Sequence, residues 1–104
     1  MRLEGSCHCG NVRFRCEAYA PVPFMHCYCS ICRKTAGGGG SAVNLGAHAA
    51  TLEVEGRQYL GVYNARIRED DGHCRVSRAL RHFCMECGSA LWLFDPQWPD
   101  LVHP

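Results

Sequence analysis

Seven of the nine cysteines in this 104-residue sequence stand in three tight groups: Cys7-His8-Cys9, Cys27-Tyr28-Cys29-Ser30-Ile31-Cys32 and Cys84-Met85-Glu86-Cys87. Thiols one or two residues apart bridge each other poorly, because disulfide geometry is demanding. They converge readily on one cation, since a tight turn can aim both sulfurs inward at about 2.3 Å from zinc. The odd number of thiols and the polar opening Met1-Arg2-Leu3-Glu4-Gly5, which does not read as a signal peptide, also point away from a disulfide scaffold. The expectation is a metal-binding protein of the reducing cytoplasm.

Seven clustered cysteines divide as four plus three. A structural zinc wants four protein ligands and a closed shell. Cys7 and Cys9 with Cys84 and Cys87 make such a set, and each pair adjoins a candidate strand, so one ion would clamp the two ends of the sequence together. Cys27, Cys29 and Cys32 then form a local set of three. Three ligands leave a fourth tetrahedral position for water or a substrate atom, the pattern of a catalytic zinc. The alternative is a fourth protein ligand, for which His26, His73 and His82 are the candidates, and a second closed site. Three thiolates leave zinc formally anionic and a weak Lewis acid, but still able to hold a thiol as its thiolate. Making or breaking carbon–sulfur bonds suits that ligand set best. An iron–sulfur cluster would normally ask for four thiolates.

The elements that must position these groups are short. Val12-Arg13-Phe14-Arg15-Cys16 alternates as a strand does and sends Cys16 to the core. Ala20 to Pro23 is a breaker segment, and Ser30 to Ala36 can form a short helix stopped by Gly37 to Gly40. Ser41–Leu45, Thr51–Glu55 and Tyr59–Tyr63 read as strands, with a turn at Gly56-Arg57-Gln58. Residues 64–77 read as a loop or irregular hairpin, with Cys74 an inert loop thiol. Ala90 to Phe94, apolar on both faces, reads as a buried strand. Trp92, Phe94 and Trp98 are expected in core and edge packing. The pattern is one all-β domain over residues 1–104, with metal-bearing turns and a core small enough for an ion to matter.

Composition narrows the function classes. Eleven Lys and Arg against ten Asp and Glu give a net charge of +1, which argues against a nucleic-acid binder or a membrane-surface binder. No apolar run approaches the roughly 20 residues of a membrane span.

Three ordered blocks carry a family resemblance. Gly5-Ser6-Cys7-His8-Cys9-Gly10-Asn11-Val12-Arg13-Phe14 resembles a G-x-C-x-C-G-x-V-x-F opening, Cys27 to Lys34 a C-x-C-S-x-C-R-K run, and Phe83 to Gly88 an F-C-x-x-C-G close. Together with the tail Asp95 to Pro104 they are similar to the glutathione-dependent formaldehyde-activating enzymes, a family that includes centromere protein V. The resemblance implies an Mss4-like β-tent of short antiparallel strands held by zinc. It implies two zinc ions: a structural one on Cys7, Cys9, Cys84 and Cys87, and a functional one on Cys27, Cys29 and Cys32, which would be the catalytic residues. It also implies a carbon–sulfur lyase that adds glutathione to formaldehyde to give S-(hydroxymethyl)glutathione. Family members commonly continue past the His-Pro at this position, so the expectation is either a naturally short member or a truncated one, with room for a homo-oligomer whose partner chain covers the site.

Smaller signals follow from that reading. Arg33 and Lys34 could hold the carboxylates of a glutathione-like substrate by charge-assisted hydrogen bonds, or be a solvated basic turn. Gly37 to Gly40 lacks the trailing Lys-Ser/Thr of a phosphate loop. His26 is a candidate acid–base group beside the bound sulfur or simply an exposed histidine. The competing class is a noncatalytic zinc module that binds a protein or stores metal; a zinc-ribbon nucleic-acid binder comes third.

Overall fold

A computed structural model of the chain describes residues 1–19, 24–27, 29–35 and 42–104; for residues 24–27, 30, 32, 33 and 42–44 it describes the backbone alone. In chain order the elements are β1 (Arg2–Ser6), β2 (Arg13–Glu17), β3 (Phe24–Cys27), α1 (Ser30–Thr35), β4 (Ala42–Leu45) and β5 (Ala47–His48). There follow β6 (Glu53–Glu55), β7 (Leu60–Tyr63), β8 (Arg66–Arg68), β9 (Cys74–Val76), β10 (Leu80–Cys84), β11 (Ala90–Phe94) and β12 (Leu101–Val102). Every strand pair is antiparallel among the described residues. The fold is all-β, and among the described residues it has one α-helix, six residues long, where the sequence predicts a helix.

The alternation in Arg13–Glu17 does what period two requires: Phe14 and Cys16 turn inward and the arginines outward. Its neighbour β1 was not apparent from the sequence, because Glu4 and Gly5 are weak strand formers. Gly5 lies opposite Phe14 in the register, and the missing side chain is needed there: a Cβ would come within 2.5 Å of the Phe14 ring. With β6 these strands form the sheet β1-β2-β6, whose outer face is a charge ladder that includes an Arg15–Glu53 pair.

The second sheet has the order β11-β10-β7, with a bulge between His82 and Phe83. The two sheets meet where Phe14 packs edge-on against Trp92, ring centres 5.2 Å apart. Around that contact lie Val12, Cys16, Ala18, Ala47, Leu91 and Val102, all buried. Cys16 is a core thiol, as its position in the alternation predicts, and burial pushes its pKa up.

Residues 64–77 resolve into a hairpin rather than a loop. Arg66 faces Val76 and Arg68 faces Cys74 across β8–β9, so Cys74 is an exposed strand thiol. Trp98 departs from the packing expectation. It sits in a turn closed by its own N–H to the Asp95 carbonyl, and the residue is 62% exposed. Trp92 is in the core and Phe94 is half-buried, as expected.

Candidate metal centre

Two similar turns build the first cysteine site. After β1, the Gly10 N–H bonds to the Cys7 carbonyl at 3.1 Å, the Cys7 N–H to the Val12 carbonyl at 3.0 Å, and the Val12 N–H points at Cys7 Sγ from 3.3 Å. After β10, the Gly88 N–H bonds to the Cys84 carbonyl at 2.8 Å and the Cys84 N–H to the Ser89 carbonyl at 3.0 Å. Gly10 and Gly88 hold φ near +80°, where a Cβ would be strained. Each turn therefore curls its pair of sulfurs to one side.

The two turns meet. Cys7 Sγ lies 3.4 Å from Cys9 Sγ, and Cys9 Sγ lies 3.7 Å from Cys84 Sγ. All four sulfurs of Cys7, Cys9, Cys84 and Cys87 are within 4.8 Å of one another. A tetrahedron of about 2.3 Å zinc–sulfur bonds has edges of about 3.8 Å, so these separations fit a single ion with little movement. Cys7 and Cys84 are buried, while Cys9 and Cys87 reach solvent.

The chemistry of the donors also fits a cation. The Cys87 pKa falls to about 5, chiefly because the Ser89 hydroxyl bonds to it, helped by the Cys9 and Ser89 backbone N–H groups. Burial raises the Cys7 pKa, but the Val12 N–H and the Cys9 and Cys84 thiols outweigh it, and the net shift is downward. At Cys9 the Asn11 N–H favours the thiolate, yet burial and the other three sulfurs prevail and push it up to about 12. One thiol thus ionises easily while another resists. Four thiolates cannot gather in so small a space without a positive charge among them.

Ser89 is the residue that spacing did not reveal. Its hydroxyl accepts the His8 N–H at 3.1 Å and lies 3.2 Å from Cys87 Sγ, tying one turn to the other across 81 residues of sequence. A hydroxyl two residues past the last cysteine was the available signal.

The second set is placed by its backbone. Cys27 is the last residue of β3, which pairs with β4, and Cys32 lies in α1. Cys29, exposed, stands just before the helix. The side chains of Cys27, Cys32, Arg33 and His26 lie outside the described residues, as do Gly37 to Gly40. Lys34 is exposed. Two histidine candidates are engaged elsewhere: His73 Nδ1 is 2.9 Å from Asp71 in the β8–β9 turn, and His82 stacks on Trp92 with its Nδ1 3.2 Å from the Leu80 carbonyl. Among the described residues, no helix is long and apolar enough to cross a membrane.

Three comparisons bear on this geometry. The family model described as glutathione-dependent formaldehyde-activating enzyme matches residues 2–103. A Halomonas elongata protein, named provisionally for the same family, is 60% identical over 104 residues, which is 100% of this chain and 63% of that protein. The chain thus spans less than two thirds of that relative's length. A crystal structure of a Rhodobacter sphaeroides protein superposes with a TM-score of 0.72 at 25% identity, covering 97% of this chain and 82% of that one.

Proposed function

Because the chain belongs to the glutathione-dependent formaldehyde-activating enzyme family, we propose that it joins a small thiol of the glutathione type to formaldehyde or a similar aldehyde, or runs that reaction backwards. In this reading Cys7, Cys9, Cys84 and Cys87 hold a structural zinc, and Cys27, Cys29 and Cys32 hold a second zinc. That second ion would supply a cation on which a thiol loses its proton at neutral pH. The observation that carries the reading is the exposed Cys29, standing between a strand end that bears Cys27 and a helix that bears Cys32.

The bond accounting is simple. The thiol sulfur forms a bond to the carbonyl carbon, the carbon–oxygen π pair moves to oxygen, and the proton given up by the thiol ends on that oxygen. No oxidant or reductant is needed, and the reverse reaction is a carbon–sulfur lyase step. Arg33 and Lys34 follow Cys32 directly and would meet the carboxylates of a tripeptide thiol. A reducing cytoplasm would keep all these thiols available.

The test is thiol–aldehyde exchange with the zinc-loaded chain and with Cys29→Ser. The expected result is a rate above buffer that Cys29→Ser removes. Equal rates in both, matching buffer alone, would leave the noncatalytic zinc module as the reading.

A further inference from the structure

Helix α1 is six residues long, with no acidic residue in its first turn. A helix that short does not hold itself together in water, so contacts from outside must fix it. One such contact comes from the sheet. Arg81, half-buried on β10, donates from Nη1 to the Thr35 hydroxyl, 3.2 Å away and 46 residues distant in sequence. Thr35 ends α1, and its hydroxyl donates to the Ile31 carbonyl one turn back, at 2.7 Å. The single hydroxyl proton is thereby directed to Ile31, and a lone pair is left to accept from the guanidinium. Back-bonding of this kind does little for a helix by itself, but it presents a fixed acceptor.

The position of this contact matters. Ile31 precedes Cys32 and lies two residues past Cys29. Three residues beyond Arg81, β10 ends at Cys84, which belongs to the four-sulfur cluster. Strand β10 is paired on both sides, to β11 and to β7, and is a rigid base from which to hold a side chain. We infer that Arg81 is a positioning residue: through Thr35 and Ile31 it fixes the helix that carries Cys32 to the strand that the four-cysteine cluster anchors. The inference deepens the proposed function and rests on it for the role of Cys29 and Cys32. The strut itself is geometric, so its test needs no turnover.

The experiment is amide hydrogen exchange on the full chain with zinc supplied, comparing wild type with Thr35→Val, Thr35→Ser and Arg81→Met. Thr35→Val keeps the branched shape and removes the hydroxyl, and Thr35→Ser keeps the hydroxyl. Arg81→Met keeps the length of the stem and removes the donors. Thr35→Val and Arg81→Met are each expected to speed exchange over residues 30–35 by about five- to tenfold, with no further gain when combined. Thr35→Ser is expected to stay near the wild-type rate, a rescue that loss of packing alone would not give. Unchanged exchange in Thr35→Val, or Thr35→Ser behaving like Thr35→Val, overturns the inference. Should Arg81→Met also loosen β10 and β11, the exposed Thr35 variants decide alone. A chain that shows this pattern yet performs no thiol–aldehyde exchange would retain the strut and lose the proposed function.

Discussion

On the proposed reading, withdrawing zinc from the four-cysteine cluster should cost this domain more than any single side chain could. Among the described residues ten apolar side chains are buried, but three are cysteines and three are alanines, leaving Val12, Leu91, Trp92 and Val102 as the larger contributors. Fully burying such a side chain contributes about 1.5–3 kcal/mol against the entropy of ordering the chain. The four-cysteine cluster instead joins segments 75 residues apart and seals the end of both sheets. An ion that binds only the folded chain, held at a free concentration of about a thousand times its dissociation constant, stabilises by about 4 kcal/mol. For a chain of this size each kcal/mol moves the melting temperature by about 4–8 °C. Thermal unfolding followed by circular dichroism should therefore show a rise of roughly 16–32 °C between chelated and zinc-loaded protein.

The controls isolate the site. Cys29→Ser should retain most of the rise, because it leaves the four-sulfur cluster whole. Cys87→Ser should abolish it, since a vertex of the tetrahedron is lost, and with it a thiol whose pKa falls to about 5. Cys74→Ser, on an exposed hairpin strand, should behave as wild type. The reasoning fails if chelated and loaded protein melt together, or if Cys87→Ser keeps the full response.

Two glycines with the same sign of φ should respond differently to alanine. At Gly56 the backbone is left-handed and a Cβ would collide with the Asn11 carbonyl, so Gly56→Ala should cost about 3 kcal/mol; at Gly72, equally left-handed, a Cβ meets nothing, and Gly72→Ala should cost about 1 kcal/mol, both by urea denaturation. His82 should make stability fall with acid. Burial holds its pKa below the ordinary value of 6.5, with Arg57 adding to the effect and the Leu80 carbonyl opposing it. The unfolded chain therefore takes up the proton first, and stability present above about pH 6.5 is lost as pH falls through the lower folded value. His82→Phe, which keeps the stack on Trp92, should flatten that part of the denaturation curve between pH 7.5 and 5.5; an unchanged slope would show that His82 is not the source.

How legible the sequence was depends on the range of the interaction involved. Cys7 with Cys9 and Cys84 with Cys87 were legible because each turn is made within a few residues, and only their meeting is long-range. Glu53–Glu55, Leu60–Tyr63 and Ala90–Phe94 were legible for the same reason: alternation, or continuous apolarity, is local. Strands β5 and β12 are two residues each and exist through pairing Ala47 with Val102, a contact no local pattern encodes. Trp98 was expected in core or edge packing because it is large and apolar, but a turn after Asp95 leaves it exposed. Ser89 and Arg81 were silent because a serine and an arginine are common surface residues. What they do depends on partners 81 and 46 residues away.

The exposure pattern bears on which cluster could meet a substrate. In the four-sulfur site an ion would have Cys7 and Cys84 on its inner side, 3% and 0% exposed, and would be surrounded by sulfur on the outer side too. The solvent-facing Cys9 and Cys87 give access to ligands, not to a vacant position on the ion, so an arriving thiol would have to displace one of them. Displacement there would also release the tie between β1 and β10, and catalysis would have to disrupt the fold at each turnover. The proposed set of Cys27, Cys29 and Cys32 spans six residues of sequence and closes no long loop, so ligand exchange there would leave the two three-stranded sheets intact. On the proposed function, a small domain that relies on one cluster for stability would place its chemistry on the other, and would hold that second segment by a contact, such as Arg81 to Thr35, that does not involve the sulfurs proposed to react.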